Sequence, residues 1–271
     1  MSLENHWGGD WMTEHDIAVK RQGPVLTVTL NRFALSLDML RELREIASGL
    51  QDDLNTRIVI LTGKSGRFSA GLDLTDREIK RMLGGSFEER RQRVELGPRA
   101  CRAWEAASPV TIAAIEGYCV GGGVSLVIAC DFRIMGESAF LRIPEVGLGL
   151  NYSWGSIPRL LHLVGPSKTK KMILLGDRVP AETCLAWGLA DQVVGDGSTM
   201  EAAMVMAEKI LAKPPIPVAM TKRAVTEVAS SLDRSSIYMD ADQFLLTSLT
   251  EDHQEGVKAF LAKETPRFEG K

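Results

Sequence analysis

Two short and largely apolar runs, each followed by a glycine-containing turn, constrain the fold of this chain more than any other feature of its sequence. Residues 57–62 and 109–115 lack the alternation of a half-exposed strand, so they predict strands covered on both faces. Apolar residues recur at helical spacing in 38–54, and a charged helical stretch, 87–106, separates the two runs. Strands that alternate with helices in this way predict an α/β domain with a parallel sheet.

Shorter patterns extend this prediction in both directions along the chain. Residues 17–20 and 25–30 alternate around a turn, which predicts a hairpin. A short helix at 124–129 and a strand at 131–135 follow the second glycine turn. Beyond about residue 164 the predicted elements are helices at 168–175, 181–188, 200–213, 217–229, 235–249 and 252–263, with one strand at 191–194.

This change of pattern divides the chain into three predicted segments. Residues 1–13 form an N-terminal tail that lacks the basic and apolar regions of a signal peptide. Residues 14–200 form the α/β core, and residues 201–271 form a helical region. We expect that helical region to cap the core or to pack on a neighbouring subunit.

Composition excludes several classes of ligand. The chain has 271 residues, of which 45% are hydrophobic and 25% charged, as in an ordinary globular protein. Its net charge of −3 offers no basic field for nucleic acid or an anionic membrane, and no apolar run is long enough to cross a bilayer. The four cysteines, Cys101, Cys119, Cys130 and Cys184, are widely spaced in apolar stretches, which predicts reduced thiols and a cytoplasmic location. We expect no metal, because the spacings typical of metal ligands are absent.

The first candidate functional segment follows the strand that ends at Thr62. The small residues at 69–71 let the backbone bend sharply, and we expect the turn to open a helix whose first N–H groups face a ligand. The N–H of Leu72 is the candidate donor. The alternative is an ordinary strand-to-helix turn in which Asp73 caps the helix.

The second candidate segment, residues 117–123, ends in three consecutive glycines. Such a run costs backbone entropy, so it indicates a close approach of the backbone or positive φ angles. The G-x-G-x-x-G spacing of a dinucleotide site is absent, whereas a purely structural bend stays open as an alternative. Two such turns after adjacent parallel strands offer N–H groups to one oxygen atom, which is the arrangement of an oxyanion hole.

Glu145 is the candidate acid or base. It follows Pro144 at the head of a glycine-interrupted apolar loop. A poorly hydrated cleft at that place would raise its pKa and suit it to proton transfer. The alternative is an ordinary residue in the first turn of a helix.

These segments occur in an order that resembles the crotonase superfamily, the family of the enoyl-CoA hydratases and isomerases, from Ile17 to Phe268. The matching phrases are residues 68–74, 114–123, 129–134, 144–145, 163–166, 187–194 and 251–263. The resemblance implies a ββα spiral core with a helical C-terminal region, and an acyl-CoA-processing enzyme. It implies that the N–H groups of Leu72 and Gly122 hold the thioester oxygen of an enolate while Glu145 moves a proton. Family members are usually trimers or pairs of trimers, so we expect the same here.

The resemblance also assigns the substrate contacts. Coenzyme A enters as part of the thioester substrate, so no separate cofactor is expected. In relatives, an aromatic residue and a lysine of the last helix contact the nucleotide of coenzyme A. The resemblance implies that Phe260 and Lys263 do so here. The other predicted substrate-binding residues are Ala34, Ser69, Ala70, Gly71, Asp73, Leu74, Gly121, Tyr152 and Trp154, and Ser125 is a further predicted catalytic residue.

The chain departs from the family pattern at residue 125. Hydratases usually have a second glutamate two residues after the glycine triplet, where this chain has Ser125. Two-glutamate hydration of a 2-enoyl-CoA therefore lacks one of its residues. A serine with a glutamate 20 positions later resembles the hydroxycinnamoyl-CoA hydratase-lyases, in which case Tyr238 would contact a substrate phenol. Single-glutamate members of the family also include double-bond isomerases.

A second departure lies in the loop at residues 151–156, where hydratases tend to have small, glycine-rich residues. Tyr152 and Trp154 either reshape the acyl pocket or pack in the core. The loop has no acid, so it does not match the dienoyl isomerases and dehalogenases that carry an aspartate nearby. Phe33 also stands where the family generally has proline.

The sequence also allows two functions of other classes, a serine hydrolase and an acyl-CoA binder without activity. A serine hydrolase would use Ser69 or Ser125, but neither lies in a G-x-S-x-G motif. A catalytically silent acyl-CoA binder would keep the fold without turnover. We therefore predict an enzyme of the enoyl-CoA hydratase/isomerase type, of fatty acid metabolism, with a hydroxycinnamoyl-CoA hydratase-lyase and a silent binder as the alternatives.

Overall fold

The structure is a computed structural model that describes residues 16–76 and 85–271. The predicted tail, residues 1–13, lies outside the described residues. The strands are β1 (Ile17–Gln22), β2 (Val25–Leu30), β3 (Ala34–Leu35), β4 (Ile58–Gly63), β5 (Gly71–Leu72), β6 (Val110–Ile115), β7 (Tyr118–Val120), β8 (Phe132–Gly136), β9 (Phe140–Arg142), β10 (Val179–Pro180) and β11 (Gln192–Val194).

The helices alternate with these strands and then dominate the C-terminal part. They are α1 (Leu37–Gly49), α2 (Phe87–Val94), α3 (Leu96–Glu105), α4 (Gly122–Val127), α5 (Ser156–Leu175), α6 (Ala181–Trp187), α7 (Thr199–Leu211), α8 (Pro215–Ala229), α9 (Asp233–Ile237), α10 (Asp240–Ser248) and α11 (Glu251–Ala262). A 3-10 helix spans Glu145–Leu148. The predicted α/β core and helical C-terminal region are thus both present.

One six-stranded sheet, in the order β1-β2-β4-β6-β8-β11, forms the centre of the fold. The first pair is the predicted antiparallel hairpin, and all later neighbours are parallel. The two apolar runs lie next to each other as β4 and β6, and both are buried along their length except at Gly63. Successive residues of these strands face two separate apolar clusters, which explains why the runs lack alternation.

Two smaller sheets lie beside the main one and hold the candidate turns. One contains β10, β9 and β7, and the other pairs β3 with β5. Their strands have only two or three residues, too few to show a sequence periodicity. These small sheets were not predicted, yet they determine where the candidate residues lie.

Several helix predictions need correction at their ends. The stretch 87–106 is two helices, α2 and α3, and the stretch 235–249 is also two, α9 and α10. The first half of α5 was not predicted, and Gly165, with φ 76° and ψ 169°, interrupts that element before its predicted second half. Residues 73–76 form a turn rather than the start of a helix, and residues 77–84 lie outside the described part of the chain.

The C-terminal helices differ in how they contact the core. Ala203 and Ala207 of α7 pack in the cluster beneath the main sheet, so the predicted division after residue 200 falls inside a helix that contacts the core. Helix α11 packs on the 3-10 helix of its own chain, where His253 Nδ1 lies 2.8 Å from Leu148 O. By contrast, α8 has no buried residue at all. The exact division into core and helical region stays a prediction.

The remaining expectations concern thiols and membranes. All four cysteines are free and buried, and burial raises the pKa of Cys101 to about 12. They are therefore unreactive thiols of the core. Among the described residues no helix has the length and apolar character needed to span a bilayer.

Candidate active site

The two candidate turns lie side by side because the short strands connect them. Ser69 N donates to Tyr118 O at 3.1 Å, and Val120 N donates to Ser69 O at 2.9 Å. Gly71 follows with φ +85°, and a Cβ built there would lie 2.9 Å from Val120 O and 3.6 Å from Gly122 N. Glycine is therefore required for the backbone of the first turn to approach the second so closely.

Gly121 and Gly122 begin helix α4. Gly121 has φ +52°, a value that favours glycine, and its N–H donates to Arg142 O at 2.9 Å. Gly122 is the first helical residue, so its N–H has no acceptor inside the helix. The Gly122 nitrogen lies close to Gly71, the residue before the candidate donor Leu72.

Glu145 begins the 3-10 helix and faces the same glycines. A Cβ built on Gly121 would lie 2.6 Å from Glu145 Oε1. The residue as a whole keeps some exposure, but Oε2 is buried and has no hydrogen-bond partner among the described residues. Burial raises the pKa of Glu145 to about 7. A carboxyl group that titrates near neutral pH can both accept and return a proton.

Ser125 lies in a chain of buried hydroxyl groups. Ser156 Oγ donates to Ser125 Oγ at 2.8 Å, and Ser125 Oγ donates to Tyr152 Oη at 3.0 Å. Tyr152 Oη lies 3.5 Å from the carbonyl oxygen of Gly121. Burial, together with the negative charge of Glu145, holds the pKa of Tyr152 well above its usual value. Tyr152 is therefore a neutral phenol.

A cavity of about 450 Å³ brings these residues together. The predicted residues that line it are Ala34, Ala70, Gly71, Leu72, Asp73, Leu74, Gly121, Gly122, Ser125, Glu145, Tyr152, Trp154 and Phe260. Tyr152 and Trp154 thus line the cavity and are also buried in the main core cluster. Packing in the core and lining the cavity are therefore compatible at both residues.

Two predicted substrate-binding residues do not line this cavity. Ser69 is fully buried, and its hydroxyl accepts from Gly71 N and donates to Phe33 O, each at 3.1 Å. It supports the turn. Lys263 ends α11 with φ +59° and lies outside the residues that line the cavity.

Asp73 lines the cavity but caps no described helix. Its carboxylate accepts from Thr75 N at 2.9 Å and from Thr75 Oγ1 at 2.6 Å, and it pairs with Arg32. Burial opposes ionisation, but these hydrogen bonds and the Arg32 guanidinium hold the pKa of Asp73 below its usual value. Asp73 is thus ionised and paired, which leaves Glu145 as the carboxyl group that titrates near neutral pH in this cavity.

Sequence reasoning missed several residues of the cavity, among them Arg142, Arg178, Phe140, Leu148 and Phe244. Arg178 lies over the Phe140 ring at 4.5 Å from its centroid. The two arginines place positive charge at the cavity. Nothing in the local pattern around these residues marks them, because separate elements bring them together.

The residues on which the alternatives depend lie in different parts of the structure. Tyr238 is 73% exposed and does not line the cavity of its own chain. Ser69 and Ser125 have no histidine partner among the described residues, since His162 pairs with Asp233 and His253 contacts a backbone carbonyl. The described residues also contain no cluster of three potential metal ligands.

Comparison with known proteins places the chain among acyl-CoA enzymes. The model of the family described as enoyl-CoA hydratase/isomerase matches residues 20–271. Crotonyl-CoA hydratase of Syntrophomonas wolfei is 32% identical over 263 residues, which cover 95% of this chain and 99% of that protein.

Solved structures agree with the observed architecture. An enoyl-CoA hydratase from Bacillus anthracis has a TM-score of 0.74 at 34% identity and covers 95% of this chain and all of its own. An enoyl-CoA hydratase from Mycobacterium avium subsp. paratuberculosis has a TM-score of 0.85 at 24% identity, covering 94% of this chain and 99% of its own. Because the identity to the Mycobacterium protein is only 24%, this similarity supports the fold and nothing further.

Proposed function

Because the chain belongs to the enoyl-CoA hydratase/isomerase family, we propose that it moves the double bond of an enoyl-CoA by carrying a proton on Glu145. The chain is an acyl-CoA-processing enzyme of that family, and its fold is the predicted crotonase fold. The roles of individual residues and the choice of reaction are our proposal. The observation that carries it is one buried carboxyl group, with a pKa of about 7, beside two glycine turns.

In this proposal the thioester oxygen lies between the N–H groups of Leu72 and Gly122. The close approach of Gly71 to Gly122 supports a shared acceptor. Negative charge develops on that oxygen mainly in the enolate, so the two donors stabilise the transition state more than the bound substrate.

Glu145 then moves one proton between two carbon atoms. Its carboxylate removes a proton from the α carbon of a 3-enoyl-CoA, and the electron pair of that C–H bond delocalises onto the thioester oxygen. The resulting acid returns the proton to the γ carbon, and the double bond moves to the 2-position. Nothing is consumed, and Glu145 ends ionised as it began. The buried Oε2, which lacks a protein partner, suits this role.

The hydroxyl chain favours isomerisation over hydration. A second carboxylate would help hold and activate the attacking water, but Ser125 stands at that position and bonds to Tyr152 and Ser156. Isomerisation needs no water and only one proton carrier. We therefore place this reaction first.

Hydration is the second candidate because a similar protein is named crotonyl-CoA hydratase. In that reaction Glu145 alone would position water for the β carbon. Assaying the protein with 3-pentenoyl-CoA and crotonyl-CoA separates the two candidates. We expect turnover of 3-pentenoyl-CoA to exceed hydration of crotonyl-CoA, whereas the reverse order would favour the hydratase. No turnover of either substrate, with acyl-CoA still bound, would indicate the silent binder.

The pH dependence of isomerisation should follow the ionisation of Glu145. The base must be ionised, so kcat/KM should fall about tenfold per pH unit below the pKa and level off above it. The pKa of about 7 places this transition near neutral pH. A pH–rate profile of kcat/KM measures it. A profile that levels off by about pH 5, near the usual pKa of a glutamate, would contradict the assignment.

We propose that the enzyme uses no cofactor other than the coenzyme A of its own substrate. We also propose that this coenzyme A enters the cavity beside helix α11. Phe260 lines the cavity and is half exposed, as expected of a residue that covers part of a ligand. Arg142 and Arg178 supply positive charge for phosphate groups. The role of Lys263 at the nucleotide stays a proposal, since this side chain lies beyond the cavity.

We further propose a homotrimer or a dimer of trimers. Helix α8 has no buried residue, and its apolar side chains Ile216 and Met220 are 69% and 68% exposed. Light scattering should give at least three times the chain mass of 29.7 kDa. The double variant Ile216→Asp, Met220→Asp should lower that mass, because it places charge in the apolar contact.

A matched control for this measurement is Leu54→Asp, at an apolar residue that is 95% exposed elsewhere on the chain. This variant should keep the wild-type mass. A wild-type mass of one chain would refute the oligomer, and an unchanged mass in the double variant would refute the role of α8.

A further inference from the structure

We infer that the indole of Trp154 is the wall that ends the acyl pocket and restricts the enzyme to short acyl chains. The inference rests on the proposed binding of an acyl-CoA thioester between Leu72 and Gly122. It adds the residue that determines which acyl groups are accepted.

The indole lies directly against the proposed oxyanion hole. A Cβ built on Gly122 would lie 2.6 Å from Trp154 Cη2 and 2.7 Å from Cζ3. At its other edge, a Cβ built on Gly97 of α3 would lie 2.0 Å from Cε2 and 2.3 Å from Nε1. The ring thus fills the space between α3 and α4, and only glycine at both contacts leaves room for it.

The backbone of this residue is held in place. Trp154 has φ +65°, an uncommon value for a residue with a side chain, and Gly155 follows with φ +66°. Arg159 Nη1 donates to the carbonyl oxygens of Trp154 and Gly155 at 2.9 and 3.1 Å. Gly155 N donates to Asp240 Oδ2 at 3.0 Å. These hydrogen bonds hold the backbone of Trp154 and Gly155 in place, so we infer that the indole is a fixed wall of the pocket.

A second cavity lies beside Gly155, the residue that follows Trp154. It has a volume of about 720 Å³, and its lining residues include Gly155, Arg159 and Glu105 of α3. Trp154 itself lines the acyl cavity, and the next residue lines the second one. Removing the indole would vacate the space between α3 and α4, next to the acyl cavity of about 450 Å³.

The consequence for the substrate follows from where the ring lies. The indole touches Gly122, whose N–H is proposed to hold the thioester oxygen, so few carbon atoms separate the carbonyl from the wall. A long acyl chain meets the ring, whereas a short one ends before it. Because Trp154 is only 8% exposed, the ring has no free solvent side into which a chain could displace it.

The test compares binding of butyryl-, hexanoyl- and decanoyl-CoA to the wild type and to Trp154→Gly by calorimetry. Glycine suits φ +65° and removes the ring. We expect the wild type to bind butyryl-CoA at least about tenfold more tightly than decanoyl-CoA, and Trp154→Gly to reverse that order.

Two further variants keep the test decisive. Trp154→Phe has a smaller ring, so hexanoyl-CoA should gain affinity while decanoyl-CoA does not, and this variant serves if Trp154→Gly fails to fold. Trp187→Phe, at a tryptophan outside both cavities, should keep the wild-type order.

The outcomes separate this inference from the proposed function. Wild-type protein that binds decanoyl-CoA as tightly as butyryl-CoA, or Trp154 variants that keep the wild-type order, would overturn the role of Trp154 and leave the proposed function standing. Failure to bind any acyl-CoA would instead overturn the proposed function, and the inference with it.

Discussion

Replacing Glu145 by glutamine should lower kcat/KM for an enoyl-CoA by about 10²–10⁴-fold. The amide cannot accept the α proton, and Glu145 is the carboxyl group of the described cavity whose pKa lies near 7. Binding of butyryl-CoA should stay within about threefold of wild type, because the variant keeps the size and shape of the side chain. Stopped-flow or steady-state rates and calorimetry measure the two effects separately.

Stability provides an independent readout of the same variant. Burial raises the pKa of folded Glu145 from its usual 4.5 to about 7, so the unfolded chain releases this proton at lower pH than the folded one. The wild type should therefore lose stability as pH rises from about 4.5 to 7. Above pH 7 the glutamine variant should be the more stable by up to about 3 kcal/mol, as measured by chemical denaturation.

The control is Glu137→Gln, which removes a negative charge at an exposed glutamate outside the cavity. Its activity should equal that of wild type. If Glu145→Gln keeps full activity, or if it loses acyl-CoA binding along with activity, Glu145 is not the proton carrier.

Gly121→Ala is the second change from which we expect a large loss, about 10²–10³-fold in kcat/KM. The new Cβ would lie 2.6 Å from Glu145 Oε1, and φ +52° is unfavourable for alanine. The peptide that Gly121 shares with Gly122 must then rotate or the carboxylate must move. Either change separates the proton carrier from the N–H donor, and the loss should appear mainly in kcat.

The matched control is Gly147→Ala on the 3-10 helix of Glu145. A Cβ built at Gly147 has no atom within 4 Å, and its φ is not positive. This variant should therefore keep wild-type kcat/KM. Melting temperatures of both variants show whether the loss in Gly121→Ala reflects the site or unfolding, and equal activities in the two would refute the proposed geometry.

Those parts of the site that arise from local pattern were predictable. The continuous apolar character of β4 and β6 follows from burial on both sheet faces. The glycines at 71 and 121 mark positive φ angles and close approach, which the sequence alone indicated. The burial of Glu145 was also anticipated from its apolar loop.

The parts that were missed depend on contacts between distant segments. Ser125 bonds to Tyr152, 27 residues later, and no spacing rule connects the two hydroxyl groups. Phe244 enters the cavity because helix α10 packs there. Ser69, a predicted substrate-binding residue, does not line the cavity, because its hydroxyl bonds within the turn to Gly71 N and Phe33 O.

A crystal structure with butyryl-CoA, which has no double bond to move, tests the central claim most directly. We predict that the thioester oxygen lies about 2.7–3.1 Å from both Leu72 N and Gly122 N. We also predict that the α carbon lies about 3–3.5 Å from a carboxylate oxygen of Glu145. A thioester oxygen that contacts only one of the two amides, or an α carbon on the side away from Glu145, would contradict the account.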